Sequence, residues 1–273
     1  MAALAAFTLA LAVAQAVAAA QPVAAVQPVA DTPFVARTDI PDIIAKVKPS
    51  IVAVGTFERL RSPEFQFRGT GFAVGNGTLI ATNAHVLPGI VDAGDNESIA
   101  ILVPGPGGKG AEVRTVTRAA LDPGSDLALL RLQGTPLPPL KLHDSASVRE
   151  GQFVLMTGYP IGAILGPFPA THRGMISAIT PIAIPQANST VLKPSVVHRL
   201  MRGSYPVFQL DATAYPGNSG SPIYDPSTGE VFGVVNIVFV KGTKEAALTA
   251  PSGITYAIPS SHLEALLKNA ARR

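Results

Sequence analysis

The 273-residue chain contains no cysteine, so no disulfide can staple it. Charge is scarce as well: 21 Lys and Arg against 18 Asp and Glu leave a net charge of +3. So slight a balance excludes a binder that works by attracting nucleic acid, and no nucleic-acid partner is expected. The sequence has no internal repeat, no metal-ligand spacing of His, Asp and Glu, and no phosphate-cradling glycine loop, so neither a metal nor another cofactor is expected. Its one dense glycine run, Pro104-Gly105-Pro106-Gly107-Gly108, reads as a hairpin tip. A folded unit of about 230–250 residues buries roughly three quarters of its unfolded surface, enough to stand without staples. The missing thiols therefore say little about the compartment.

Charge is also absent along the chain until Asp31. Residues 2–20 are almost entirely Ala, Leu, Val and Phe, and Ala14-Gln15-Ala16 and Ala18-Ala19-Ala20 offer the small-x-small pattern of a cleavage site. Residues 1–20 read as a signal peptide, although the basic n-region is missing; the alternative is an uncleaved membrane anchor. Residues 21–37, with Gln-Pro-Val twice, read as a linker.

Beyond residue 38 the apolar pattern is that of short strands separated by turns, which 25 glycines and 25 prolines can serve. Strands are expected at Ser50–Phe57, Phe72–Val74, Leu79–Thr82, Ile99–Val103 and Leu127–Leu132. A second set is expected at Phe153–Thr157, Gly174–Ala178, Val207–Asp211, Pro222–Tyr224, Val231–Val240 and Thr255–Ile258. Two helices flank them. One runs over Ile40–Val47 and stops at Pro49. The other spans 261–272, with Ser261 and Glu264 as a capping box.

Three strings carry chemistry: Thr82-Asn83-Ala84-His85-Val86, Asp126-Leu127-Ala128-Leu129-Leu130 and Gly217-Asn218-Ser219-Gly220. Their order is His, Asp, Ser, with gaps of about forty and about ninety residues, so the three must converge from distant elements. A serine hydroxyl is a poor nucleophile without a base beside it, and a histidine serves best when a carboxylate fixes its tautomer. His85, Asp126 and Ser219 are the candidate catalytic residues. Glycines on both sides of Asn218-Ser219 allow a tight turn in which the amides of Gly217, Asn218 and Ser219 can supply an oxyanion hole. Asp122, four residues before Asp126, sits in an Asp-Pro-Gly-Ser turn where capping accounts for it.

With Gly69-Thr70-Gly71-Phe72, Asp211-Ala212, Pro216-Gly217-Asn218-Ser219-Gly220 and Tyr256-Ala257-Ile258-Pro259 added to those strings, the chain resembles the protease domain of the HtrA/DegP family over about residues 38–262. The resemblance implies an all-β, chymotrypsin-like fold of two six-stranded antiparallel Greek-key barrels, about 38–145 and about 146–259, with the triad in the cleft between them. It implies ATP-independent endoproteolysis of unfolded or misfolded polypeptides outside the cytoplasm, periplasmic or secreted, with membrane anchoring as the alternative. It also implies a homo-oligomer, often a trimer. The missing cysteines argue against the disulfide-rich digestive and blood-type relatives.

The chain departs from the family pattern in several places. With the sequence running to Arg273, no PDZ domain is expected; Tyr159 stands where Asn is common, and Ser221 where Gly is usual. The stretch 179–206 is longer than its counterpart and is the candidate regulatory element. Its basic residues Lys193, His198, Arg199 and Arg202 read as a solvated loop. By the family layout, Thr213, Ala214 and Tyr215, then Asn236, Ile237 and Val238, and the Gly253–Tyr256 region wall the S1 pocket. No carboxylate stands there to attract Lys or Arg, and no histidine to attract Glu. Ile237 and Val238 suggest a shallow apolar pocket, so small aliphatic P1 residues such as Val or Ala are expected. The alternatives are a narrow-specificity processing protease and a catalytically silent, chaperone-like relative.

Overall fold

The computed structural model describes residues 39–88, 97–105, 110–162, 168–181, 205–236 and 253–272. Six strands close the first barrel: β1 (Ile51–Phe57), β2 (Phe65–Val74), β3 (Leu79–Asn83), β4 (Ser98–Pro104), β5 (Ala111–Asp122) and β6 (Leu127–Leu132). Six more close the second: β7 (Phe153–Gly158), β8 (Ala170–Pro181), β9 (Pro206–Asp211), β10 (Pro222–Tyr224), β11 (Val231–Val235) and β12 (Ile254–Pro259). The first runs β1-β2-β3-β6-β5-β4 around its wall and the second repeats that order as β7-β8-β9-β12-β11-β10, all antiparallel. This is the chymotrypsin-like fold.

Alternation along single strands explains why the sequence is so apolar. In β1, Val52 and Val54 point into the first barrel, whereas Ile51 and Ala53 join a separate core on its outside. Residues Leu127 and Leu129 of β6 face that outer core, and Ala128 and Leu130 face inward. A strand buried on both faces loses the polar half of its pattern and reads as a continuous apolar run. The outer core also takes Leu155, Tyr224, Val234 and Ile258 from the second barrel, so it is the packing layer between the barrels. Ile43 and Val47 of α1 (Ile40–Val47) and Leu263 and Leu266 of α2 (Ser260–Ala271) close it.

Two expectations need correction. β5 was not foreseen, because among its residues only Val116 is buried, so it shows no apolar run. The Ser261–Glu264 capping box does not form: the helix starts one residue earlier, after Pro259, with no side-chain cap. Ser260 Oγ instead donates to the His143 carbonyl (2.6 Å), the Ser261 N–H donates to Ser145 Oγ (3.2 Å), and Glu264 pairs with Lys268 (2.9 Å). The segment joining the barrels thus supplies the cap from outside. Most of the 179–206 stretch, including all four of its basic residues, lies outside the described residues, as do the expected signal peptide and linker.

Candidate active site

Pairing of β3 with β6 sets Asn83 opposite Leu127, which brings the ends of these two strands together. His85 follows β3 in a single 3-10 turn, Ala84–Val86. Asp126 immediately precedes β6 with φ of 55°, a left-handed conformation that Asp tolerates better than most residues. That conformation aims both ends of Asp126 at the histidine turn. Its carbonyl accepts from the Ala84 N–H (3.1 Å) and from Asn83 Nδ2 (3.1 Å). Its Oδ1 accepts from the His85 backbone N–H (2.9 Å), and Oδ2 lies 2.7 Å from His85 Nδ1. Asn236 Nδ2 donates to the same Oδ2 at 2.7 Å. A carboxylate offers only acceptors, so Nδ1 carries the ring proton and Nε2 is left with a lone pair. Nε2 lies 2.9 Å from Ser219 Oγ. Asp122 is occupied elsewhere, accepting from Gly124 N–H (3.0 Å) and Ser125 Oγ (2.6 Å) as a turn residue does.

Ser219 comes from the connection between β9 and β10, so the serine belongs to the second barrel and the other two residues to the first. The turn is pinned on every side. Gly217 has φ of 105° and Gly220 has φ of 87°, and a Cβ on either would fall within 2.3 Å or 2.0 Å of a backbone oxygen. Thr70 of β2 ties the turn to the first barrel: its N–H donates to the Ser219 carbonyl (2.8 Å) and its Oγ1 to the Gly217 carbonyl (2.8 Å). The Ile161 N–H donates to the Pro216 carbonyl at 2.7 Å. Carbonyl and N–H point opposite ways across a trans peptide, so this bond turns the Gly217 N–H away from the 159–162 loop. The Asn218 and Gly220 N–H groups are consumed by Tyr215 and Val235. Among the described residues, the N–H groups of Gly217 and Ser219 have no acceptor, which leaves them available for a developing oxyanion.

Of the expected S1 residues, Thr213 and Ala214 are half-buried and precede the turn, as does Tyr215. Asn236, expected as a pocket wall, is fully buried, and its side-chain amide donates to Asp126. Ile237 and Val238 lie outside the described residues. Asn83, Thr70 and Ile161 were missed as positioning groups, although Asn83 and Thr70 stand inside the strings that drew attention. The described residues include no group of His, Asp and Glu that could hold a metal ion.

A trypsin-like peptidase domain model matches residues 69–234. The chain is 31% identical over 241 residues to the mitochondrial serine protease HTRA2 of Bos taurus, covering 86% of this chain and 43% of that protein. It is 33% identical over 203 residues to a Pseudomonas fluorescens protein named "Probable periplasmic serine endoprotease DegP-like", covering 73% of this chain and 34% of the relative. The chain therefore spans less than half the length of these curated relatives. A solved HtrA-type protease with a tripeptide superposes with a TM-score of 0.58 at 22% identity, over 84% of this chain and 62% of the other. At that identity the likeness is one of fold.

Proposed function

The chain belongs to the trypsin-like peptidase domain family, as an HtrA-like member, and from that premise we propose that it is a serine endopeptidase with Ser219 as nucleophile. The observation that carries this reading is the unbroken chain of contacts from Asp126 Oδ2 through His85 to Ser219 Oγ, at 2.7 and 2.9 Å. His85 Nε2 takes the hydroxyl proton as Ser219 Oγ attacks the scissile carbonyl, and returns it to the leaving amine. The carbonyl oxygen gains negative charge and is met by the Gly217 and Ser219 N–H groups. Asp126 holds the ring tautomer and steadies the imidazolium. Water then repeats the sequence on the acyl-enzyme.

Unfolded or misfolded polypeptides are the proposed substrates, acted on in the periplasm or outside the cell. DegP-like relatives named as periplasmic support the location. Among the described residues no helix is long and apolar enough to cross a membrane. Ala214 packs against the interior of the second barrel, which favours a P1 side chain without charge. The small aliphatic P1 preference expected from Ile237 and Val238 falls on residues outside the described ones and is not carried into this proposal. Assembly as a homo-oligomer, a trimer by family analogy, completes the proposal.

Casein digestion tests the reading. The protein should cut casein, and Ser219→Ala should lower the rate by about 10⁴-fold or more while leaving the fold intact. A Ser219→Ala variant that digests casein at the parental rate would rule it out.

A further inference from the structure

One inward-facing histidine remains unused by this chemistry. The β8 strand pairs His172 with Met156 and Gly174 with Val154. Cross-strand partners share a face of the sheet, and Val154, Met156 and Ile176 all lie in the interior core of the second barrel. His172 and Gly174 therefore belong to the inward row, whereas Arg173 turns outward over the exposed Phe153 ring, 5.5 Å from its centroid. Inside, the His172 ring lies 6.4 Å from the ring of Tyr215, four residues before the nucleophile. Ala214, beside Tyr215 and half-buried, packs on the same interior cluster, which also holds Val235 and Ala257. His172 Nε2 is shielded from solvent and, among the described residues, has no hydrogen-bond partner. A shielded polar atom left unpaired is costly, and a ligand that pairs it recovers that cost.

We infer that His172 forms the base of the P1 subsite and selects an uncharged side chain ending in a carboxamide, asparagine or glutamine. The inference rests on the endopeptidase reading above. Burial lowers the imidazole pKa below its ordinary value, so the ring is neutral at neutral pH. A carboxylate would then enter as an uncompensated buried charge. A carboxamide carries both a donor and an acceptor, so it satisfies Nε2 in either ring tautomer. An aliphatic tip of the same size leaves Nε2 unpaired.

Fluorogenic peptides identical except at P1 test this, using the near-isosteric pairs Gln/Met and Asn/Leu plus a Glu peptide, with casein digestion alongside. In the unmodified protein the carboxamide member of at least one pair should show a kcat/KM at least about tenfold higher than its apolar partner. His172→Leu, shown to be folded by circular dichroism, should bring that ratio near one by lowering kcat/KM for the carboxamide member, and His172→Gln should retain part of it. Casein digestion with the apolar member preferred, a ratio that survives in His172→Leu, or Glu preferred over Gln would each overturn the inference and leave the endopeptidase reading standing. Loss of casein digestion in the unmodified protein would overturn both.

Discussion

Asp126 shows how much one side chain can be asked to do. Its Oδ2 meets both His85 Nδ1 and Asn236 Nδ2, and its Oδ1 meets the His85 N–H, so the carboxylate is fixed in rotation by three donors. Asn236 reaches it from the second barrel, which makes the histidine's orientation depend on how the two barrels meet. A hydrogen bond to a charged group contributes about 1.5–3 kcal/mol, and each 1.4 kcal/mol is a factor of ten. Asn236→Leu should therefore lower kcat about tenfold to hundredfold with KM little changed, as steady-state kinetics on one peptide would show. An equal loss through KM alone would place Asn236 in substrate binding instead. His85, Asp126 and Ser219 were legible because their residue types and order are tied to one chemistry. Asn236 was visible as a letter but its bond to Asp126 was not, since nothing local in Val235-Asn236 says which way a side chain turns at the end of a strand.

At the scale of elements, the 159–162 loop bears on the Gly217–Gly220 turn. Ile161 has φ of 58°, a conformation that a β-branched residue adopts only at a cost of roughly 1–3 kcal/mol. The return on that strain is the 2.7 Å bond from its N–H to the Pro216 carbonyl, which orients the Gly217 N–H. Ile161→Pro removes the donor and cannot take a positive φ. It should cost about 10²–10³ in kcat, the usual loss for one oxyanion donor. Ile161→Gly keeps the N–H and relieves the strain, so its kcat should stay within about twofold of the parent; a loss as large as that of the Pro variant would show that the side chain, not the bond, matters. Strand positions were readable wherever a run was buried on both faces, as in β1, β6 and β11. The β5 strand escaped because every residue in it but Val116 is exposed or half-buried, so no apolar face stands out, and its pairing with β6 shifts register between Arg118 and Ala120. The α2 cap escaped because its acceptors, the His143 carbonyl and Ser145 Oγ, lie far away in the chain.

At the scale of the molecule, three apolar cores stand side by side among the described residues, one inside each barrel and one between them. The middle core holds the active-site halves in register, and α2 is part of its cover. His262 of α2 stacks on Tyr205 at 4.3 Å, and burial lowers its pKa, with Asp122 opposing the shift. His172 is shifted in the same direction by burial. Each binds its proton less readily folded than unfolded, so the unfolded chain takes up more protons once pH falls below the ordinary histidine value of about 6.5. Stability is therefore full above that value and declines on acidification through the lower folded values. The thermal midpoint should fall between pH 7 and pH 5, and His262→Phe, which keeps the ring stack, should fall less. A parallel decline in both proteins would remove His262 from the explanation. The twofold barrel plan was legible in the sequence through family resemblance, whereas the shared middle core was not. Its members are scattered from Ile43 to Leu266 and alternate with residues of the other two cores.

The central claim is that Ser219 is a nucleophile activated by His85. It is tested most directly by treating the protein with a serine-directed phosphonate and locating the adduct by mass spectrometry of its peptides. A single adduct on Ser219, lost in Ser219→Ala and slowed by at least about a hundredfold in the folded His85→Ala variant, is the predicted result. No adduct in folded protein, or labelling of Ser219 at an undiminished rate without His85, would contradict it.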